Sequence, residues 1–237
     1  MSGGHTLLLL ATSLDSFQVL ATTADESIGR AIDKVSKLLD LKWTSLGPGD
    51  ALEKFCAQKV DTGSIVIPLP QVTMAGKLSF SYSGLHSRVE RFVETFGGIN
   101  NIDLPTRMAI ARAFQKSAIA QLEDKLLLGL QWCQQKDIPV RHVVLSGGVA
   151  SNQYLRERYQ ISLSTLLFTD TFSTRLHQCI LKADLDISID LVFPPPHLCT
   201  GMALCSLYMS YFLDLPQSRQ CGHDRLGFNA PFPGQRF

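Results

Sequence analysis

Hydrophobic and polar residues change their spacing along the chain, and each spacing predicts a different element. Apolar runs in segments 5–12 and 17–22, separated by a short polar stretch, predict a β-hairpin. From residue 25 to residue 39 the apolar positions recur every three or four residues, which predicts a helix with Asp25 and Glu26 in its first turn. The first forty residues therefore predict an α/β protein.

Further elements follow from the same patterns. The Gly-Pro-Gly sequence at 47–49 predicts a turn before a helix at 50–58. Alternating residues at 77–82 predict a strand, and a helix is expected at 87–96. The longest predicted helix covers 106–134, where no proline interrupts the apolar stripe. After residue 156 the periodicity weakens.

A Ser-Gly-Gly turn lies between an apolar strand, predicted at 143–145, and a helix that starts near residue 153. Gly147 and Gly148 permit positive φ angles and leave no β-carbon between the backbone and a ligand. The N–H groups of the following helix point to the same place, which predicts a site for an anion or a nucleotide. The alternative is that the glycines only form a tight turn and that Asn152 caps the helix.

A second Ser-Gly-Gly sequence, formed by Ser2, Gly3 and Gly4, opens the chain and precedes the apolar run of the predicted hairpin. Two such turns beside strands suggest two backbone loops that bind one ligand from different sides.

Composition narrows the possible classes of protein. The 237 residues are 45% hydrophobic and 18% charged, which is typical of a soluble protein with one large or two small cores. The net charge of +1 gives no global basic surface, so any contact with RNA must come from a local patch or another subunit. The six cysteines show no C-x-x-C pair, which favours reduced thiols, and the apolar run at 201–215 is too short to predict a membrane span.

Five motifs occur in the order seen in one known family. The chain resembles the TsaD/Kae-type family, formerly described as O-sialoglycoprotein endopeptidases, and looks most like its mitochondrial branch. The resemblance implies an actin-like ATPase (ASKHA) fold, mostly its C-terminal lobe with an inserted helical subdomain. The motifs are Ser-Gly-Gly-His-Thr at 2–6, Ala-Ile-Asp-Lys at 31–34, Phe-Ser-Tyr-Ser-Gly-Leu at 80–85, Ser-Gly-Gly-Val-Ala-Ser-Asn at 146–152 and Pro-Pro-Pro-His-Leu-Cys-Thr at 194–200.

The resemblance also implies an activity. Members of the family transfer a threonylcarbamoyl group from threonylcarbamoyl-adenylate, which a separate synthase supplies, to N6 of the adenosine next to the anticodon of tRNA. It implies a homodimer and the mitochondrial matrix, although the cytoplasm remains open because no transit peptide is visible. No catalytic residue is assigned. The residues expected to bind substrate or nucleotide are Ser2, Gly3, Gly4, Asp33, Gly49, Ser146, Gly147, Gly148 and Asn152.

For Asp33 the alternative is an exposed ion pair with Lys34, which contributes little to stability. Gly49 matches the second glycine of a family Gly-Gly pair, whose first glycine is replaced here by Pro48.

The family implies one divalent metal, iron or zinc, in each subunit. Its ligands are two histidines spaced four apart and an aspartate after Leu-Cys-Thr. This chain contains no H-x-x-x-H pair and has Gly201 in place of the aspartate, so the metal ligands are absent. The resemblance therefore predicts an N-terminally truncated form with impaired transfer activity.

The expected organisation is a family-like lobe at 1–160, an atypical insertion at 161–190, a family-like proline-rich segment at 191–200 and an atypical tail at 201–237. Two other functions remain open. One is a non-catalytic lobe that binds a nucleotide or a partner, and the other is an actin-like kinase or ATPase.

Overall fold

A computed structural model describes residues 1, 4–13, 16–43, 45–63, 65–70, 72–164 and 190–193. The predictions made for Ser2, for Gly3, for the tail at 201–237 and for most of 161–200 lie outside the described residues.

The predicted hairpin is confirmed. Strand β1 (Leu7–Ala11) pairs antiparallel with β2 (Phe17–Thr23), and the register shifts between Leu8 and Leu9. The predicted strand at 77–82 is shorter than expected, because only β3 (Ser79–Phe80) forms; it pairs parallel with β2. The three strands form one sheet in the order β1-β2-β3.

Helix α1 (Ile28–Leu38) begins later than its apolar periodicity predicts. Ser27 is its N-cap and accepts a hydrogen bond from the Arg30 N–H at 3.3 Å, while the buried Thr6 Oγ1 accepts one from the Ile28 N–H at 2.9 Å. These two hydroxyls satisfy N–H groups that the first turn leaves unpaired, and they fix where the helix begins. The prediction that Asp25 and Glu26 lie in the first turn is therefore wrong.

Three further helices build the body of the protein: α2 (Pro48–Ala57), α3 (Ser83–Thr95) and α4 (Leu104–Gln135). Only Gly47, with a φ of 94°, belongs to the predicted turn before α2. Pro48 already occupies the first turn, where its missing N–H has no consequence. Helix α3 begins four residues earlier than predicted, whereas the long α4 matches its prediction within two residues.

Helix α4 lies against both the sheet and the other helices. Its Gly129 gives room to the sheet, since a β-carbon there would lie 2.6 Å from Leu8 Cδ2. Among the described residues, no helix has both the length and the apolar character needed to cross a membrane. The fully buried large side chains include Ile28, Tyr82, Leu85, Met108, Ile110, Phe114 and Leu155.

The last described elements carry the second Ser-Gly-Gly turn. Strand β4 (His142–Val144) leads into this turn, a short 3-10 helix (Gly148–Ser151) follows, and α5 (Gln153–Ser164) comes next. Strand β5 (Asp190–Val192), which the sequence did not predict, pairs parallel with β4.

Candidate nucleotide-binding site

The turn at Ser146, Gly147 and Gly148 contacts the start of the chain. The Met1 amino group donates to the Ser146 carbonyl at 2.8 Å, and the Val149 N–H donates to the Met1 carbonyl at 3.3 Å. Met1 and Ser146 are separated by 145 positions in sequence and meet in space.

Gly147 is required by this contact. Its φ is +96°, and an added β-carbon would lie 2.0 Å from the Met1 carbonyl oxygen. Both the backbone angle and the available space therefore exclude a larger residue. Gly148 differs, because its φ is not positive and an added β-carbon would meet nothing within 4 Å. Gly148 is exposed, so a ligand can approach its backbone.

The helix N-terminus near this turn is already occupied. Asn152 Oδ1 accepts from the Leu155 N–H at 2.9 Å, and Glu53 Oε1 on α2 accepts from the Gln153 N–H at 2.7 Å. The prediction that free helix N–H groups directly follow the glycines is therefore wrong. A 3-10 turn intervenes, and the first turn of α5 donates to protein groups. A carboxylate at this position also disfavours a second anion there.

The capping alternative for Asn152 is thus observed, while its predicted contact with a nucleotide stays a prediction. Glu53 was missed by the sequence analysis. Its position one helical turn after Gly49, on the same face of α2, is the signal that identifies it.

Helices α1 and α2 bring the other candidate residues to the same region. Helix α1 contacts both α2 and the 3-10 turn, and the Ser36 hydroxyl donates to the Pro48 carbonyl at 3.1 Å. A β-carbon at Gly49 would lie 3.9 Å from Ile32 Cγ2, which is an ordinary contact. Protein packing therefore does not require glycine at position 49.

Asp33 is exposed on α1 and forms no hydrogen bond or ion pair with the other described residues. The expected alternative, a surface pair with Lys34, is not seen, because Lys34 Nζ lies 2.5 Å from Glu26 Oε2 instead. Partial burial raises the pKa of Asp33. The carboxylate is thus a free acceptor on α1, the helix that contacts both α2 and the 3-10 turn.

The pKa of Glu53 is also raised. Burial is the largest cause, and the negative charges of Asp50 and Glu157 add to it, while the hydrogen bond from the Gln153 N–H acts in the opposite direction. Asp33 and Glu53 thus are carboxylates with raised pKa values on two helices that contact each other. Carboxylates of this kind accept hydrogen bonds from hydroxyl groups such as those of a ribose.

A second cluster fixes the segment before α3. The Asp25 carboxylate accepts from the Ser81 hydroxyl at 2.6 Å, from the Tyr82 N–H at 2.9 Å and from the Ser83 hydroxyl. Burial acts to raise the pKa of Asp25, but these hydrogen bonds outweigh it and lower the pKa to about 2. Asp25 thus joins the end of β2 to the Phe-Ser-Tyr-Ser-Gly-Leu motif.

Glu26 forms a buried ion-pair group beside this cluster. Its two carboxylate oxygens lie 2.5 Å from Lys34 Nζ and 2.5 Å from His86 Nδ1. The sequence left His86 unassigned, because a lone histidine near a helix start is usually a surface residue. In the fold it is largely buried and links α3 to the start of α1.

The described residues do not fit a metal site. No group of three or more histidine, cysteine, aspartate or glutamate side chains in this part of the chain is arranged to hold a metal ion.

Comparison with known proteins identifies the family of this chain. The family model described as TsaD, tRNA N6-adenosine threonylcarbamoyltransferase, matches residues 1–203. A probable mitochondrial tRNA N6-adenosine threonylcarbamoyltransferase of Arabidopsis thaliana is 34% identical over 208 residues, which cover 84% of this chain and 38% of the relative. The mitochondrial enzyme of Schizosaccharomyces pombe is 30% identical over 207 residues, covering 86% of this chain and 45% of the relative.

The tRNA N6-adenosine threonylcarbamoyltransferase of Bartonella bacilliformis is 32% identical over 212 residues, covering 86% of this chain and 50% of the relative. The chain thus spans half or less of the length of these curated relatives. The family has the actin-like ATPase fold and is metal-dependent, and the α/β arrangement described above agrees with that fold class. On the match over residues 1–203, this chain belongs to the TsaD family of tRNA N6-adenosine threonylcarbamoyltransferases.

Proposed function

We propose that this chain forms the nucleotide-binding part of a tRNA N6-adenosine threonylcarbamoyltransferase. In this proposal it is mostly the C-terminal lobe of the actin-like fold, with an inserted helical subdomain. The observation that carries the proposal is the contact between Met1 and the turn at Ser146, Gly147 and Val149. The turn lies close to α1 and α2, because α1 contacts the 3-10 turn and Glu53 of α2 accepts from the Gln153 N–H. In this proposal threonylcarbamoyl-adenylate binds there.

The charges of the site favour the nucleoside half of the ligand. Asp33 and Glu53 are carboxylates with raised pKa values, and Asp33 has no partner among the described residues. Ribose hydroxyls donate hydrogen bonds to such acceptors. The exposed backbone at Gly148 allows close approach of the adenylate without displacement of a side chain.

The transfer step follows from the family to which the chain belongs. The threonylcarbamoyl carbonyl carbon is attacked by N6 of the tRNA adenosine, the bond to the adenylate phosphate breaks, and AMP leaves. The substrate is tRNA of the mitochondrion, since two of the relatives carry that description in their names. A separate synthase supplies the adenylate, and the protein acts as a homodimer. The residues of this chain hold and orient the adenylate.

The test is a calorimetric titration of the chain with AMP, ATP and enzymatically prepared threonylcarbamoyl-adenylate. Replacing Asp33 by Asn removes one charged acceptor, and we expect the adenylate affinity to fall about 10- to 100-fold. Asp40→Asn is the matched control, because Asp40 lies just beyond the far end of α1 and removes the same charge. The control affinity should stay within about twofold of the unchanged chain.

Equal affinities of the Asp33→Asn and Asp40→Asn variants would contradict the proposed site. Transfer is measured separately, as the incorporation of labelled threonine into mitochondrial tRNA in the presence of the synthase. Adenylate binding without transfer would support the alternative that the chain is a non-catalytic nucleotide-binding lobe. ATP hydrolysis without any preference for the adenylate would support an actin-like ATPase instead.

A further inference from the structure

A concave surface lies between the loop at 65–70 and helix α3, and it includes none of the candidate nucleotide-binding residues. It encloses about 230 Å³. The proposed function assigns it no role, and none of the family-like motifs contributes to it. Its lining residues are Ile67, Pro68, Leu69, Arg88, Arg91 and Phe92.

The two arginines give this cavity a positive rim. Arg88 and Arg91 are three positions apart on α3, both are exposed, and neither has an ion-pair partner among the described residues. Arg91 Nε donates only to the Ser87 carbonyl, at 3.3 Å. Glu94, three positions after Arg91, lies next to it along the helix, whereas Glu90 lies on the side away from Arg88. Of the charged residues of α3, only the two arginines line the cavity.

The floor of the cavity is apolar and includes one aromatic ring. Phe92 is half-buried and packs against the hydrophobic core. Ile67 is buried and anchors the loop, whereas its neighbour Val66 is 84% exposed. Two guanidinium groups beside an aromatic surface suit a ligand that carries both a phosphate and a planar base. A peptide with acidic side chains would pair with the arginines but would supply no planar group to the Phe92 ring, which packs at a tilt against Phe96 with ring centroids 5.4 Å apart.

We propose that the cavity bounded by Arg88, Arg91 and Phe92 binds one unpaired nucleotide of the substrate RNA. In this arrangement the guanidinium groups bind the phosphate and the base stacks on Phe92. The inference rests on the proposed function, which makes tRNA the substrate. Because the chain has a net charge of only +1, binding of RNA requires a local basic patch, and Arg88 and Arg91 supply one.

The test measures binding of the full chain to a fluorescently labelled tRNA anticodon stem-loop by anisotropy at several salt concentrations. We expect Arg88→Ala/Arg91→Ala to weaken binding about 10- to 100-fold and to reduce the slope of log affinity against log salt by about 1. Phe92→Leu keeps an apolar side chain but removes the ring, and it should weaken binding about 10-fold at unchanged salt slope.

The matched control is Lys136→Ala/Arg141→Ala, which removes the same charge from the exposed connection between α4 and β4. Equal losses in the two double variants would show a non-specific charge effect and would overturn the inference. Poly-glutamate that competes with the RNA as well as an unlabelled stem-loop does would overturn it as well, in favour of an acidic protein partner. Unchanged circular dichroism and urea unfolding confirm that each variant is folded.

Adenylate titration of the same variants separates this inference from the proposed function. Adenylate affinity that stays unchanged while RNA affinity falls supports both. Adenylate binding by a chain whose RNA affinity does not depend on Arg88 and Arg91 overturns the cavity assignment alone. A chain that binds neither ligand contradicts both proposals.

Discussion

Replacement of Gly147 by Ala tests whether the contact between Met1 and the glycine turn stabilises the fold. The added β-carbon lies 2.0 Å from the Met1 carbonyl oxygen, 2.7 Å from the Met1 carbonyl carbon and 2.8 Å from its nitrogen. All three are backbone atoms, so no side-chain rotation relieves the overlap. Either the Met1 segment leaves the turn or residue 147 changes its backbone conformation.

The expected loss of stability combines the strain at residue 147 with the loss of the hydrogen bonds to Met1. An alanine held at a φ of +96° costs about 1–2 kcal/mol relative to glycine. Departure of Met1 breaks the hydrogen bonds to Ser146 and from Val149, each worth about 1 kcal/mol. We therefore expect Gly147→Ala to lower the free energy of unfolding by about 2–4 kcal/mol.

The assay is equilibrium urea unfolding monitored by circular dichroism, together with hydrogen exchange of the peptide that contains Val149. Its N–H donates to the Met1 carbonyl and should lose protection in Gly147→Ala. Gly148→Ala is the control, since a β-carbon there meets nothing within 4 Å and the φ is not positive. We expect the control to change the free energy of unfolding by less than about 0.5 kcal/mol.

A Gly147→Ala protein as stable as the Gly148→Ala protein, with full protection at Val149, would refute the reasoning. It would mean that the contact between Met1 and the glycine turn does not stabilise the fold. The nucleotide site proposed at this turn would then lose its structural basis.

Two further predictions concern charged side chains that are paired in the fold. Burial acts to raise the pKa of Asp25, but its hydrogen bonds outweigh burial and lower the pKa from 3.8 to about 2. Its stabilising contribution is therefore present above pH 3.8 and is lost as the pH falls towards 2. Asp25→Asn should remove this part of the stability difference between pH 6 and pH 2.5 in urea unfolding, and a variant with the same difference as the unchanged chain would argue against it. Arg158 donates to Glu123 at 3.0 and 3.1 Å, and the Glu123 side chain is only 5% exposed. Arg158→Ala should lower the free energy of unfolding by about 3 kcal/mol, because it leaves a buried carboxylate unpaired, whereas Glu123→Leu/Arg158→Met should recover most of the loss. A double variant no more stable than Arg158→Ala in urea unfolding would contradict this account.

The sequence predicted the elements better than their boundaries. The hairpin and the long helix α4 agree with the predicted segments, because alternation and helical periodicity run through many residues. Helix α1 starts at Ile28 because Thr6 and Ser27 supply its capping oxygens. Thr6 is far away in sequence, so no local pattern indicates it. Asp25 was assigned to the helix on local grounds and instead organises the segment before α3.

The candidate site shows the same division. The need for glycine at position 147 follows from a turn between strand and helix, and the structure gives it a φ of +96°. The capping role of Asn152 was an open alternative and is observed. Glu53 was not found, because its function becomes visible only when its carboxylate meets the Gln153 N–H one hundred positions later.

By itself, the sequence determined the α/β class, the helix and strand types, the glycine turn and the family, since each of these depends on residues close together or on motifs in a fixed order. Only the tertiary structure decided that Met1 lies against Gly147, that Glu53 occupies the start of α5 and that Glu26 holds His86 and Lys34. The physical reason is that these contacts join segments that pack together to bury apolar surface, and burial then obliges the polar groups between them to pair.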